Sequence, residues 1–308
     1  MLIRTGHPPE RAGPAPAPPG TVFVSAPAKV NLFLEVLGKR PDGYHEVCTL
    51  VLAIELFDDL EFAPTDVGEV TLTCDVPELP TGPDNLVRKA ADLLKRETGC
   101  SRGAAIRLVK RIPWAAGLGG GSSDAAATLV GLNALWELGL SAGDLSRLAA
   151  SLGSDVPFFL NGAAALCTGR GEIVTPVPVG RAFDLVFVKP ADGLATADVN
   201  RQIRVPAAPR TAESAVAALA AGDVDGLAMS LHNRLQEPAF ELSPATDGLH
   251  RRLRATAAAG ALLSGSGSCV FALCRNPSEA RQVVDDLSRG APLEDGSLPR
   301  IFSVRSCS

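Results

Sequence analysis

The sequence predicts an α+β fold in two domains, and three observations predict it. Short blocks rich in Val, Leu, Ile and Phe come first and read as strands, and apolar residues at helical spacing follow. The two patterns then mix without the strict alternation that a doubly wound sheet requires. At 308 residues the chain has room for two cores, and at 46% hydrophobic and 20% charged its composition is that of an ordinary globular protein.

The elements follow in order. Residues 21–26, 29–38 and 45–62 read as strands, with a further short one at 69–74. Residues 84–99 change period: Leu86, Ala90, Leu93 and Leu94 share one helical face, Asp84 or Asn85 is the N-cap, and Gly99 the stop. Residues 104–111 return to strand, 112–124 form a glycine-rich loop, and 125–139 and 141–153 are helices. Residues 163–169 and 171–177 form a strand pair after a short turn. In the second half, 184–190 is a strand, and the segments around 212–222, 224–235 and 245–259 are helices. Residues 261–274 read as strand, glycine turn and strand, 278–289 as a helix, and 300–306 as the last strand.

The head, residues 1–20, holds six prolines and no apolar core; it reads as a disordered tail and not as a secretory signal. Two glycines flank Arg170, and the boundary is placed there. That gives an N-terminal domain over 21–168 and a C-terminal domain over 169–308, whose last strand can return to the first domain.

Several function classes are excluded at this level. A net charge of −5 leaves no basic excess for a broad grip on nucleic acid. No run of about 18 apolar residues is present to span a membrane. The seven cysteines are odd in number and none has CxxC spacing. Small buried thiols in a reducing compartment explain them, so a cytoplasmic location is expected.

The most informative stretch is Pro113-Trp114-Ala115-Ala116-Gly117-Leu118-Gly119-Gly120-Gly121-Ser122-Ser123-Asp124. It lies between a strand and a helix. Its glycines let backbone N–H groups approach an anion, and the following helix N-terminus favours phosphate. Ser122 and Ser123 can cap that helix or meet phosphate oxygens. A Walker A loop would need a lysine after its glycines, and a dinucleotide loop would need GxGxxG; neither is here. Ser264-Gly265-Ser266-Gly267-Ser268 reads equally as a β-turn, and gains a role only if it packs beside the first loop.

Three segments in order, Pro-Ala-Lys-Val-Asn-Leu-Phe-Leu at 27–34, the loop at 113–124, and Ser-Gly-Ser-Gly at 264–267, resemble the three motifs of the GHMP kinases. Arg-Pro-Asp-Gly-Tyr-His at 40–45 and Leu-Gly-Ser-Asp-Val-Pro at 152–157 resemble those members that act on a cytidine-diphosphate-linked methylerythritol. The resemblance covers residues 21–306. It implies an N-terminal domain similar to the second domain of ribosomal protein S5, a ferredoxin-like C-terminal domain, and an active site in the cleft between. It also implies ATP-dependent phosphorylation of that substrate's 2-hydroxyl, with Mg2+ accompanying ATP. A monomer or weak homodimer is expected, with no nucleic-acid or membrane partner.

The same resemblance implies roles residue by residue. Asp155 orients or deprotonates the attacking hydroxyl. Lys29, one of six lysines against 23 arginines and set in an apolar run, neutralises phosphate or pairs with Asp155. Asn31, two residues on and hence on the same strand face, meets the substrate polyol or Lys29. Tyr44 stacks on the cytosine and His45 hydrogen-bonds its edge. Residues 113–123, with Asn85 and Lys110, hold ATP, although Asn85 also reads as a helix cap and Lys110 as a strand-end charge. Thr196, Gly265, Ser266 and Gly267 border the substrate. Asn200 stands where many relatives have an aromatic that covers the second face of the base, and Arg201 is the candidate to stack there instead. The metal ligands stay open among Ser122, Ser123 and, through water, Asp155. The Tyr-His turn argues against a homoserine- or mevalonate-type kinase. The presence of both Lys29 and Asp155 argues against a sensor that has lost turnover.

Overall fold

The computed structural model describes residues 4–5, 17–290 and 298–307. Within the expected tail, Arg4–Thr5 form a short strand, β1, that pairs antiparallel with Val24 and Ser25; residues 1–3 and 6–16 lie outside the described ones. Packing divides the chain into two compact units. One is Met1–Ala28, Leu56–Pro113 and Gly119–Gly162; the other is Lys29–Glu55, Trp114–Leu118 and Ala163–Ser308. They interleave along the chain because two long strands, β2 (Val22–Lys39) and β3 (His45–Thr65), pass from one to the other. β2 joins the segments expected at 21–26 and 29–38. Pro27 interrupts the apolar pattern but removes only one ladder donor.

In the first unit, β4 (Val70–Cys74) and β5 (Gly103–Val109) lie beside the end of β3. β5 pairs antiparallel with β3 and parallel with β4, with Ile106 opposite Phe62 and Leu72. Helix α1 (Leu86–Thr98) starts where Asn85 Oδ1 accepts the Val87 N–H at 2.9 Å, and it stops at Gly99, which sits at φ +68°. It buries Ala90, Leu93 and Leu94 and packs on α2 (Gly120–Leu135). α2 is buried from Ser123 to Leu132, and a side chain on Gly131 would collide with the Phe62 ring. Helix α3 (Ala142–Leu152) opens with a capping box between Ser141 and Asp144.

In the second unit, β3 pairs antiparallel with β6 (Ala164–Thr168), which pairs with β7 (Ile173–Pro176). β8 (Asp184–Lys189) then leads through helices α4 (Thr196–Arg201), α5 (Glu213–Ala221) and α6 (Val224–Ser230) to a two-residue strand, β9 (His232–Asn233). α7 (Gln236–Leu242) and α8 (Pro244–Arg254) come next, followed by β10 (Gly260–Leu263), β11 (Val270–Cys274), α9 (Pro277–Ser288) and β12 (Arg300–Arg305). The second sheet has the order β10-β11-β8-β12, antiparallel throughout. Its first and third strands in chain order lie at the centre, which is the ferredoxin-like arrangement. α8 and α9 cover it, closing a core that includes Val186, Val188, Leu249, Leu253, Val270 and Val283.

One expectation is corrected here. The helix expected over 224–235 breaks after Ser230, because His232 and Asn233 pair parallel with Phe33 and Leu34 of β2. The last strand lies beside β8, and just past it Ser306 bridges Ile54 and the Cys307 N–H donates to the Ala53 carbonyl at 2.9 Å, so the end of the chain also meets β3.

One buried charge anchors β9 to β2. Glu35 is fully buried, and its carboxylate accepts Arg234 Nε–H at 2.7 Å and Nη2–H at 2.8 Å. The backbone N–H groups of Val36 and Arg210 also donate to it, at 2.9 and 3.0 Å, and His232 Nε2 lies at 3.2 Å. Burial raises this carboxyl, but the Arg234 guanidinium and the two backbone donors win and hold it at about 2. A depressed carboxyl stabilises the fold above its unfolded value near 4.5 and loses that contribution as pH falls toward 2. The gap corresponds to about 3 kcal/mol. The urea midpoints of wild type and Glu35→Gln should therefore differ most above pH 5 and converge as pH falls. A constant difference across that range would show that the charge is not what stabilises.

Candidate active site

Three distant parts of the sequence meet at one carbonyl in the second unit. Lys29 is 4% exposed on β2, and its Nζ donates to Asn31 Oδ1 at 2.6 Å and to the Gly117 carbonyl at 2.9 Å. Asn31 Nδ2 donates to Thr49 Oγ1 at 2.9 Å, and that hydroxyl donates to the Phe33 carbonyl at 2.7 Å, so the amide is held at both ends. Ser264 Oγ donates to the same Gly117 carbonyl at 3.0 Å. The condition set for the 264–268 turn, that it pack beside the loop, is met.

Glycine is required at both sides of this contact. Gly117 is at φ +74°, and a side chain there would collide with the Ser264 carbonyl. A Cβ on Gly265 (φ +55°) would stand 3.2 Å from Lys29 Nζ and 3.3 Å from Asn31 Oδ1. Backbones approach this closely only without a Cβ. Asn233 secures the turn from β9, donating to the Leu263 and Gly265 carbonyls at 2.8 and 2.7 Å. Ser266 and Thr196 hydroxyls lie 2.9 Å apart, and Gly267 is at φ +87°. Around the loop, the Leu118 carbonyl accepts the Lys29 N–H at 3.0 Å, and the Ala116 carbonyl accepts that of Cys269 at 3.3 Å. Ala115 is held at φ +50°, and the adjoining Trp114 is more than half exposed while Pro113 is buried.

The rest of the loop belongs to the first unit. Gly119, at φ +71°, is the N-cap of α2, and no side chain caps the helix. This corrects the expectation that the helix begins at 125 with a serine cap: Gly121, Ser122 and Ser123 already lie in its first turn. Gly120 sits close against its neighbours: a Cβ would lie 3.0 Å from Ile112 Cγ2 and 3.2 Å from Lys110 Nζ. First-turn N–H groups lack intrahelical acceptors, and with the helix dipole they can bind an anion. Ser123 Oγ is buried and has no hydrogen-bond partner among the described residues.

Lys110, expected near the adenosine, follows β5 directly. Its ammonium is buried between Asp58 and Asp124, 2.7 Å from Asp124 Oδ2 and in direct contact with Asp58 Oδ2. Asp58 Oδ1 accepts the N–H groups of Arg111 and Ile112 at 2.6 and 2.9 Å. The triad thus ties the end of β5 to the N-terminal part of α2, across the glycine loop. Burial pushes the Asp124 carboxyl up to about 8, against the pull of the Lys110 ammonium and helped by Asp58. Asn85 is used as the cap of α1, and its Nδ2 donates to the Pro80 carbonyl at 2.8 Å. Its neighbour Leu86 faces Gly121, with Leu86 Cδ1 3.6 Å from where a Cβ would be.

Tyr44 and His45 stand at the β2–β3 turn and take no part in the Lys29 cluster. Tyr44 is half exposed, with Arg170 over one face of its ring. Burial, and then the charge of Lys39, hold His45 below its usual range, so the imidazole is neutral at physiological pH and can both donate and accept. Asp155 lies on the turn between α3 and the short 3-10 helix Pro157–Leu160. Arg201, the candidate for stacking on the base, turns its guanidinium to Asp198, while Asn200 is exposed.

Sequence reasoning missed Asp58, Asp124, Asn233, Glu35 and Arg170. For Glu35 a signal was present: it is a charge in the same apolar run that made Lys29 conspicuous.

The loop, helix and turn geometry is that of a small-molecule kinase, and the comparisons agree. Family models for the GHMP kinases N terminal domain and C terminal domain match residues 85–163 and 215–292. A 4-diphosphocytidyl-2-C-methyl-D-erythritol kinase of Pelotomaculum thermopropionicum is 46% identical over 84% of this chain and 91% of its own length. One of Shouchella clausii is 40% identical over 92% of this chain and 93% of its own. A crystal structure of a 4-(cytidine 5'-diphospho)-2C-methyl-D-erythritol kinase superposes with a TM-score of 0.76 at 36% identity, covering 93% of this chain and 99% of that one. The chain belongs to the 4-diphosphocytidyl-2-C-methyl-D-erythritol kinase family. Among the described residues no helix is long and apolar enough to cross a membrane.

Proposed function

We propose that this protein transfers the γ-phosphoryl group of ATP to the 2-hydroxyl of 4-diphosphocytidyl-2-C-methyl-D-erythritol, in the non-mevalonate route to isoprenoid precursors. The observation that carries this reading is the convergence of Lys29, Ser264 and Gly265 on the Gly117 carbonyl, which unites all three motifs.

Phosphoryl transfer asks a protein mainly for positioning and charge neutralisation. The N–H groups opening α2 take the ATP phosphates, helped by the loop 113–123. Lys29, already desolvated and oriented by Asn31 and Gly117, neutralises charge on the transferring group. Asp155 accepts the proton of the attacking hydroxyl. Tyr44 offers a ring face to the cytosine and neutral His45 hydrogen-bonds its edge, while Thr196 and the turn 265–267 border the substrate. Asn85 lies next to the first turn of α2 and borders the adenosine. The Lys110 ammonium, committed to two carboxylates, holds the loop in shape rather than meeting the nucleotide. Mg2+ bound with ATP would neutralise phosphate oxygens, and the unpartnered Ser123 Oγ is the loop side chain with capacity to hold it.

We place the enzyme in the cytoplasm, as a monomer or weak homodimer without nucleic-acid partners. The Cys269 and Cys274 thiols are buried and form no disulfide, which fits a reducing compartment, and burial pushes both up to about 12. An ADP-release assay across alcohols tests the substrate. The cytidylyl-methylerythritol should support turnover, and homoserine, mevalonate and galactose should not. Turnover with one of the latter and none with the first would overturn the assignment.

A further inference from the structure

Tyr44 is the only tyrosine of the chain. Its backbone is fixed by the hairpin turn: the N–H donates to Asp42 Oδ1 at 3.1 Å, and the carbonyl accepts the Arg40 N–H at 2.8 Å. One face of its ring is occupied, with the guanidinium carbon of Arg170 4.9 Å from the ring centroid. Arg170 comes from the β6–β7 turn, and that turn is built to present it. Gly169 (φ +73°) and Gly171 (φ +116°) bracket the residue. The Gly169 carbonyl accepts the Val47 N–H at 2.8 Å, which ties the turn to β3 three residues past Tyr44. The Glu172 carboxylate accepts the Arg170 backbone N–H at 2.6 Å and its Nε–H at 3.5 Å. A side chain on Gly169 would stand 2.7 Å from that carboxylate, so the glycine keeps the space open.

We propose that Arg170 is a positioning residue for substrate specificity: held by Glu172, it backs one face of the Tyr44 ring so that only the opposite face is offered to the cytosine. This rests on the assignment of Tyr44 to the base. An aromatic ring at an exposed turn must be ordered before a base can stack on it, and ordering it in the free protein removes that penalty from binding. A guanidinium over the ring face is attracted by the ring quadrupole, and its plane can lie along the ring as an ammonium cannot. Arg170 was not singled out by the sequence except as a residue between two glycines. The arginine that sequence reasoning assigned to stacking, Arg201, is paired elsewhere.

The test is steady-state kinetics on Arg170→Ala, Arg170→Lys, Tyr44→Ala and the Tyr44→Ala/Arg170→Ala double variant. Arg170→Ala should raise KM for the cytidine substrate about threefold, the size expected of one cation–π contact, with KM for ATP unchanged. Arg170→Lys should recover only part of the loss. In the Tyr44→Ala background, removing Arg170 should add nothing, because it acts through the ring. An unchanged KM in Arg170→Ala, or an equal effect in both backgrounds, would overturn the proposal. Wild-type KM in Tyr44→Ala would instead overturn the base-stacking assignment, and the proposal with it. A readout free of turnover uses the single tyrosine: in 13C-labelled protein its ring signal should shift on adding cytidine 5'-diphosphate. In Arg170→Ala the ring signal of the free protein should already be displaced. An undisplaced signal counts against the proposal.

Discussion

Asp155→Asn is expected to lower kcat by roughly 10²–10⁴ while KM for ATP stays near wild type, the range a positioned general base supplies. Asparagine keeps the shape and hydrogen-bonding reach of the side chain but cannot take a proton. The proposed ATP site, by contrast, is the start of α2 and the loop that leads into it, and none of its N–H groups belongs to Asp155. Single-turnover measurements at saturating ATP check this directly. Retention of the wild-type rate would remove Asp155 from the chemistry. A large rise in KM for ATP with an unchanged rate would move it to nucleotide binding.

Lys110→Met should give the largest loss of stability, about 3–5 kcal/mol, because it strips a buried ion cluster of its only cation. Asp58 is fully buried and Asp124 almost so. The Lys110 ammonium lies between the two carboxyl groups, and burial raises that of Asp124; without the ammonium, Asp58 and Asp124 share the interior with no cation between them. In a chain of two units, a loss of this size lowers the melting temperature by roughly 10 °C. Asp58→Asn added to Lys110→Met should restore part of it by removing the stranded charge. A variant that melts like wild type but binds ATP weakly would contradict this account and return Lys110 to the nucleotide.

The glycine loop was legible because glycine clusters have few uses besides close backbone approach, and the strand before it and the helix after it were both periodic. Lys29 and Asn31 were legible because a charge and an amide in an apolar strand need a reason. The ion clusters were not, since Lys110 lies 52 residues from Asp58 and Arg234 lies 199 from Glu35, and ordinary charged residues carry no mark of their partners. The start of α2 was misplaced because glycine and serine are poor helix formers. The close approach of Gly120 to Ile112 and Lys110 favours a residue without a side chain there. The break at Leu231 was hidden for a related reason: pairing of β9 with β2 overrides a continuous helical pattern. Arg170 needed the fold, since it reaches Tyr44 only when the two turns are brought together.

Phosphoryl transfer from ATP to the 2-hydroxyl would leave its mark in the product's 31P NMR spectrum. Carbon 2 of 2-C-methyl-D-erythritol bears a methyl group and no hydrogen. Phosphorylation there must add a phosphomonoester singlet, beside an intact diphosphate, with no three-bond coupling to a proton on the esterified carbon. A new signal split by carbinol protons would place the phosphate on a neighbouring hydroxyl. No new monoester signal, with ATP consumed only to ADP and inorganic phosphate, would contradict the transfer itself.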